Sequence, residues 1–159
     1  MSDKETAPVR GAQHEALGVF LGRWRAEGKS YGGTKQSVDF PKRDAEPWIS
    51  THTGAWHTGA FFLIQDERAA TGANPFDTLS LMGVDAKTGR YFARSIENHG
   101  FYRDYALAVD GRTWTLTGDK ERARIEFSAD GNTQSIAWEW RPEDGWLPLC
   151  DRIARRDDD

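Results

Sequence analysis

From residue 22 onward, apolar and polar residues alternate with a period of two in short runs, and clusters of turn-forming residues interrupt them. Successive side chains of a strand point to opposite faces, so such runs read as half-buried β-strands. Strands are predicted near 22–31, 48–55, 60–67, 77–84, 90–96, 101–109, 112–118, 122–128, 133–141 and 146–154. The breaks between them carry hairpin chemistry: Asp85-Ala86-Lys87-Thr88-Gly89, Asn98-His99-Gly100, Asp110-Gly111, Asp130-Gly131-Asn132 and Glu143-Asp144-Gly145. Residues 33–47 and 69–76 break the rhythm and read as longer loops of the kind that cover a barrel mouth. Ahead of the first strand, Ala16, Leu17, Val19, Phe20 and Leu21 follow Gln13-His14-Glu15, which predicts one short helix ended by Gly22.

About ten antiparallel strands joined in sequence order normally curl and close, because closure removes exposed edges. The fold class expected is therefore all-β, a single up-and-down β-barrel with a short N-terminal helix. The alternation also sorts residues by face. Trp114 and Leu116, Ile125 and Phe127, and Ile136, Trp138 and Trp140 form one apolar face that should line the interior. A barrel of this size has room for side chains and one small ligand, or for the tryptophans alone.

Length and composition change little in this picture. A chain of 159 residues suits one core, and its seven tryptophans supply apolar volume as large rings. Residues 1–12 and 157–159 offer nothing apolar to dock and are expected to fray, leaving 13–156 as one barrel domain. Basic residues are dispersed and the net charge is -4, which argues against nucleic acid as a partner. Cys150 is the single cysteine, so no intrachain disulfide and no cysteine-based zinc cluster can form, and a reducing cytoplasm fits. No leader-like apolar region opens the chain and no run approaches the ~20 residues that span a bilayer, so a cytoplasmic protein without a membrane partner is expected.

Charges placed among apolar residues are the informative ones, because a lumenal charge must find a partner. Arg94 shares parity with Phe92 and Ile96, and Arg103 with Phe101, Tyr105 and Leu107. A four-residue turn over 97–100 pairs Arg94 with Arg103 inside the barrel, an anchor for an anion. A three-residue turn over 98–100 instead sets Arg94 against Asp104 and sends Arg103 to the other face. The four-residue turn is favoured because it groups the large apolar residues. His52 and His57 each open an HTGA tetrapeptide. In one strand they point to opposite faces about 17 Å apart and cannot share a metal; a two-residue turn at Gly54-Ala55 would make them neighbours. The continuous strand is preferred, with His57 in a turn and no metal expected.

Gly22-Arg23-Trp24, directly after the predicted helix, resembles the Gly-x-Trp opening of the calycins, which include lipocalins and fatty-acid-binding proteins. The resemblance implies that Trp24 plugs the closed end beneath a basic side chain of the last strand, Arg152 or Arg155. Met82-Gly83-Val84-Asp85, Thr88-Gly89-Arg90-Tyr91 and Ile96-Glu97-Asn98-His99-Gly100, with Trp48 to Leu63 and Trp138 to Arg155, look like a bacterial calycin-like family of unknown function, over roughly residues 14–156. The chain is also similar to the haem-binding nitrobindins, whose iron is held by a histidine from the C-terminal part of the barrel. No histidine follows His99, which leaves Cys150 as a thiolate ligand.

Three function classes follow. The first is a binding barrel for a small hydrophobic or aromatic, in part anionic, molecule, with Trp114, Trp138, Trp140, Phe92 and Tyr105 as walls, Arg94 and Arg103 as anchor and His52 wherever its register points it inward; no cofactor is expected. The alternatives are an enzyme of the cyclase or isomerase type working inside the barrel, drawing on His52, His99, Glu97, Asp104 and Tyr102, and a nitrobindin-like haem binder. A third class is a homodimer formed on an exposed sheet face such as Thr113 to Thr117 with Tyr91, Ala93 and Tyr102.

Overall fold

The computed structural model describes residues 6–33 and 35–157. A five-residue helix α1 (Ala12–Ala16) runs into a 3-10 turn (Leu17–Phe20), followed by β1 (Gly22–Ser30), β2 (Glu46–Trp56), β3 (Leu63–Thr71), β4 (Asn74–Val84), β5 (Tyr91–Glu97), β6 (Tyr102–Asp110), β7 (Thr113–Thr117), β8 (Glu121–Phe127), β9 (Thr133–Trp140) and β10 (Leu147–Arg156). Each strand pairs antiparallel with its sequence neighbour, and β1 also pairs with β10, so the sheet closes into a barrel. Among the described residues no helix is long and apolar enough to cross a membrane. The frayed ends expected at 1–12 and 157–159 fall partly on 1–5 and 158–159, outside the described residues.

The expected loop over 69–76 is a hairpin instead. Thr71 pairs with Asn74 across the two residues Gly72 and Ala73, and Gly72 takes the left-handed φ of 59° such a tight turn needs. Asn74 and Pro75 have the composition of a loop, yet the ladder tolerates Pro75 because Asn98 completes the neighbouring edge. The Asn98 side chain accepts from Asp77 N at 2.7 Å and donates to Pro75 O at 3.2 Å.

Packing divides the interior along the barrel axis. Leu17 and Phe20 lie across one end above Trp24 and Leu63, all fully buried. Phe20 meets Trp114 and Phe127 edge-on with centroids 5.2 Å apart. This apolar plug extends through Met82, Leu107, Leu116 and Ile136. A smaller cluster of Trp48, Ala69 and Cys150, with Phe76, is linked to it by Trp138, which packs against both. The long connection between β1 and β2 is tied down by Gln36, which donates to Pro41 O and Pro148 O and accepts from Trp140 Nε1 at 2.7 Å.

At Gly28 β1 and β10 approach so closely that an added Cβ would meet the Asp151 carbonyl oxygen and the Arg152 backbone. Backbone cannot move aside as a flexible side chain can. Gly28→Ala is therefore expected to cost about 1–3 kcal/mol, read as a lower urea midpoint with unchanged slope.

Candidate functional site

β2 is continuous through the first HTGA, and its inward residues are Trp48, Ser50, His52 and Gly54. His52 therefore faces the lumen, whereas His57 is exposed in the turn that leads to β3. Across the ladder His52 sits beside Trp24 on one side and Glu67 on the other. Its ring lies nearly parallel to that of Trp24, with centroids 6.0 Å apart. Nδ1 is 3.8 Å from Glu67 Oε2, too far for a direct hydrogen bond.

Glu67 is instead engaged by Arg152. The Arg152 Nη2 group lies 3.3 Å from Oε2 and donates to Oε1 at 3.4 Å. Its guanidinium carbon stands 4.6 Å above the Trp48 ring, and Nη1 approaches Cys150 Sγ at 3.6 Å. Both side chains are below a tenth exposed, at 9% and 7%, so this ion pair is part of the interior. The wall around it is built from small residues: Ala26, Gly28, Ser50, Ala69 and Ala154. Arg152 and Trp48 flank Gly28 in one cross-strand row, where a missing side chain leaves the guanidinium room to reach the ring.

This environment decides protonation. Burial, followed by the Arg152 charge, pushes His52 down to about 3, so the ring is neutral at ordinary pH. Burial works against the Arg152 charge, but Glu67 and the Cys150 sulfur outweigh it and raise the arginine pKa. Several buried polar atoms among the described residues lack a hydrogen-bond partner: both His52 nitrogens, Glu67 Oε2 and Arg152 Nε at this site, and Gln134 Nε2 and Thr71 Oγ1 elsewhere on the strands. Unpaired buried polar atoms are uncommon and mark places where water or a ligand completes the set.

A second polar group lies toward the other end of the lumen. Arg103 pairs with Glu121 at 3.3 Å, and Tyr105 donates to Glu121 at 3.0 Å. Burial and then the Glu121 charge raise the Tyr105 pKa, so its hydroxyl stays a donor. Trp138 packs edge-on against Tyr105 at 5.6 Å. At the rim His99 Nδ1 stands 2.6 Å from Glu97 Oε2. Burial raises the Glu97 pKa, but hydrogen bonds from His99 and Phe101 prevail and hold it below its usual value.

The β5–β6 turn is the three-residue one: Glu97 N donates to Phe101 O, and Gly100 takes φ 94°. Arg94 accordingly faces Asp104 on the outer surface, 3.1 Å away, and Arg103 turns inward opposite Ser95. The inner face of β5 is Tyr91, Ala93, Ser95 and Glu97, so Phe92 lies outside, where its ring neighbours Phe62 and Arg94. The favoured paired-arginine anchor does not form, because the one-residue difference in turn length puts the two side chains on opposite faces. Tyr91 and Ala93, offered as part of a dimer face, point inside, and Tyr91 packs on Trp114. Trp114 itself belongs to the plug. Trp24 is covered by Arg156 at 4.2 Å rather than by Arg152 or Arg155. Cys150 is buried beside Arg152 and Trp48, and burial raises the pKa of its thiol. Among the described residues no group of three or more His, Cys, Asp and Glu is placed to hold a metal ion.

Glu67 and Gln134 are absent from the sequence expectations, and Arg152 enters them only as a cover for Trp24. Two of the three carry a signal nonetheless: Arg152 stands between Cys150 and Ala154 on one parity, and Glu67 shares its face with Leu63, Gln65 and Ala69, so each is a charge set among mainly uncharged residues.

Arg152→Ala leaves Glu67 buried without a counter-charge and is expected to cost about 3–5 kcal/mol, whereas Arg94→Ala, in an exposed pair, should change stability by no more than ~0.5 kcal/mol in the same urea titration. His52 makes a pH prediction. Between about 3 and its ordinary 6.5 the unfolded histidine binds a proton that the folded one refuses, so stability falls as pH drops through that window and recovers as it rises. Glu97 adds a loss in the same direction only below its ordinary 4.5. Urea midpoints at pH 7 and pH 5 should thus show a decline that His52→Gln reduces.

No protein-family model matches the chain, and no curated protein matches it in sequence. Its fold does match solved structures. Rv2717c from M. tuberculosis superposes with a TM-score of 0.64 at 14% identity, over 90% of this chain and 96% of that one. The S-type phycobiliprotein lyase CPES from Guillardia theta gives 0.58 at 13% identity, over 94% and 95%. Zebrafish ileal bile acid-binding protein complexed with cholic acid gives 0.50 at 11% identity, over 87% and 99%. In fold the chain is thus a closed ten-strand up-and-down barrel shared with these structures, the architecture that the resemblance to calycins implied.

Proposed function

We propose that the barrel binds one small, largely apolar or aromatic molecule in its interior, held by the polar cluster of His52, Glu67 and Arg152. The observation that carries this reading is His52, which is 3% exposed with neither ring nitrogen bonded to anything. A fold that hid this ring for packing alone would gain more from an apolar residue, since an unmet buried polar group costs about 1–3 kcal/mol. Trp48, Trp138 and Tyr105 serve as aromatic walls, and Trp140 with the Arg103–Glu121 pair stands nearer the mouth. The fold neighbours lend support, since one is complexed with cholic acid and another is a phycobiliprotein lyase.

Titrating the tryptophan fluorescence with a panel of aromatic and aliphatic alcohols, acids and sterols should give saturable, one-to-one quenching by at least one compound. His52→Leu is expected to weaken that binding about tenfold, one lost hydrogen bond. Flat titrations across the panel would overturn the reading.

A further inference from the structure

The interior charges say more about the occupant than the presence of a site does. Arg152 and Arg103 both point inward, and each already carries a carboxylate: Glu67 at 3.3 Å and Glu121 at 3.3 Å. His52, beside Glu67 in the ladder, is neutral. A ligand carboxylate drawn to Arg152 would set a second negative charge against Glu67, which is itself buried and already paired with that guanidinium. Anion capture is thus opposed by the protein's own counter-ion. The atoms without partners at this site are of mixed type. Arg152 Nε is a donor, Glu67 Oε2 is an acceptor, and a neutral imidazole offers one of each. A group that both donates and accepts satisfies such a set, whereas a carboxylate only accepts.

We infer that the molecule this barrel takes is electrically neutral and presents a hydroxyl group to the His52–Glu67–Arg152 cluster, with its apolar body against Trp48. This rests on the lumen being a binding site, as proposed above, and specifies the class of occupant. It reverses the expectation of an anionic ligand drawn from the two arginines of the sequence. Selectivity here comes from a carboxylate already installed in the wall, which repels like charge and accepts from a hydroxyl.

Calorimetry at pH 7.5 with matched pairs tests it: 2-naphthol against 2-naphthoate, cinnamyl alcohol against cinnamate, and 1-octanol against octanoate. The neutral member of a pair that binds is expected to bind at least tenfold more tightly than its carboxylate. Glu67→Gln frees Arg152 from its counter-charge and should reverse the order, with the carboxylate gaining at least tenfold. Equal or tighter binding of carboxylates by the unaltered protein overturns the inference while leaving a lumenal site standing, and it does so whether or not the variant folds. A folded Glu67→Gln that gains nothing for carboxylates also overturns it. Absence of binding by both members of all three pairs overturns the inference together with the reading beneath it.

Discussion

Arg152 and Glu67 hold opposite charges inside a closed sheet, and neither can be separated from the other without leaving an ion in a medium that solvates it poorly. Much of the local architecture answers to this pair. Glycine at position 28 and alanines at 26, 69 and 154 keep the wall thin enough for the long side chains to meet. Trp48 offers the guanidinium a π face, and the positive charge so fixed helps keep His52 unprotonated. The site thus sets a buried ion pair beside a neutral ring.

The division along the axis has the same origin. Apolar groups gather at the end covered by α1 and the 3-10 turn, where Trp24 lies between the plug and the polar cluster with Arg156 over its ring. Its indole N–H is spent on Phe20 O at 3.3 Å, inside the plug. The face toward the lumen therefore offers His52 a surface to lie on but no hydrogen bond. That contributes to the ring's unmet valence, and it ties the chemistry of the lumen to the packing of the closed end.

Strand positions were legible in the sequence because closure of a meander leaves each strand one wet and one dry face, and period two is what that arrangement writes. The exceptions share a cause. Asn74-Pro75 has loop composition, but its hydrogen bonding is completed by Asn98, a residue far away in sequence that no local reading can supply. The turn at 98–100 is one residue shorter than the four-residue turn that would bring the largest apolar groups of β5 inward. The inner face there carries Tyr91, Ala93 and Ser95 instead, and Ile96 is half exposed. Parity survives such an error, but its sign does not. The buried polar residues are harder still to read, since His52, Glu67, Gln134 and Arg152 lie on four strands. His52 was flagged by its repeat; the others required knowing which face of β3, β9 and β10 turns inward.

The pairing of β1 with β10 joins the first strand to the last, and therefore makes the contacts of longest sequence separation. Contacts of that kind form late, because the whole intervening chain must be ordered before they reward the loss of entropy. Arg152 travels on that last strand. Until it arrives, Glu67 stands on β3 without its cation, and the curled sheet has two open edges. Sealing the cylinder and neutralising its interior are the same event.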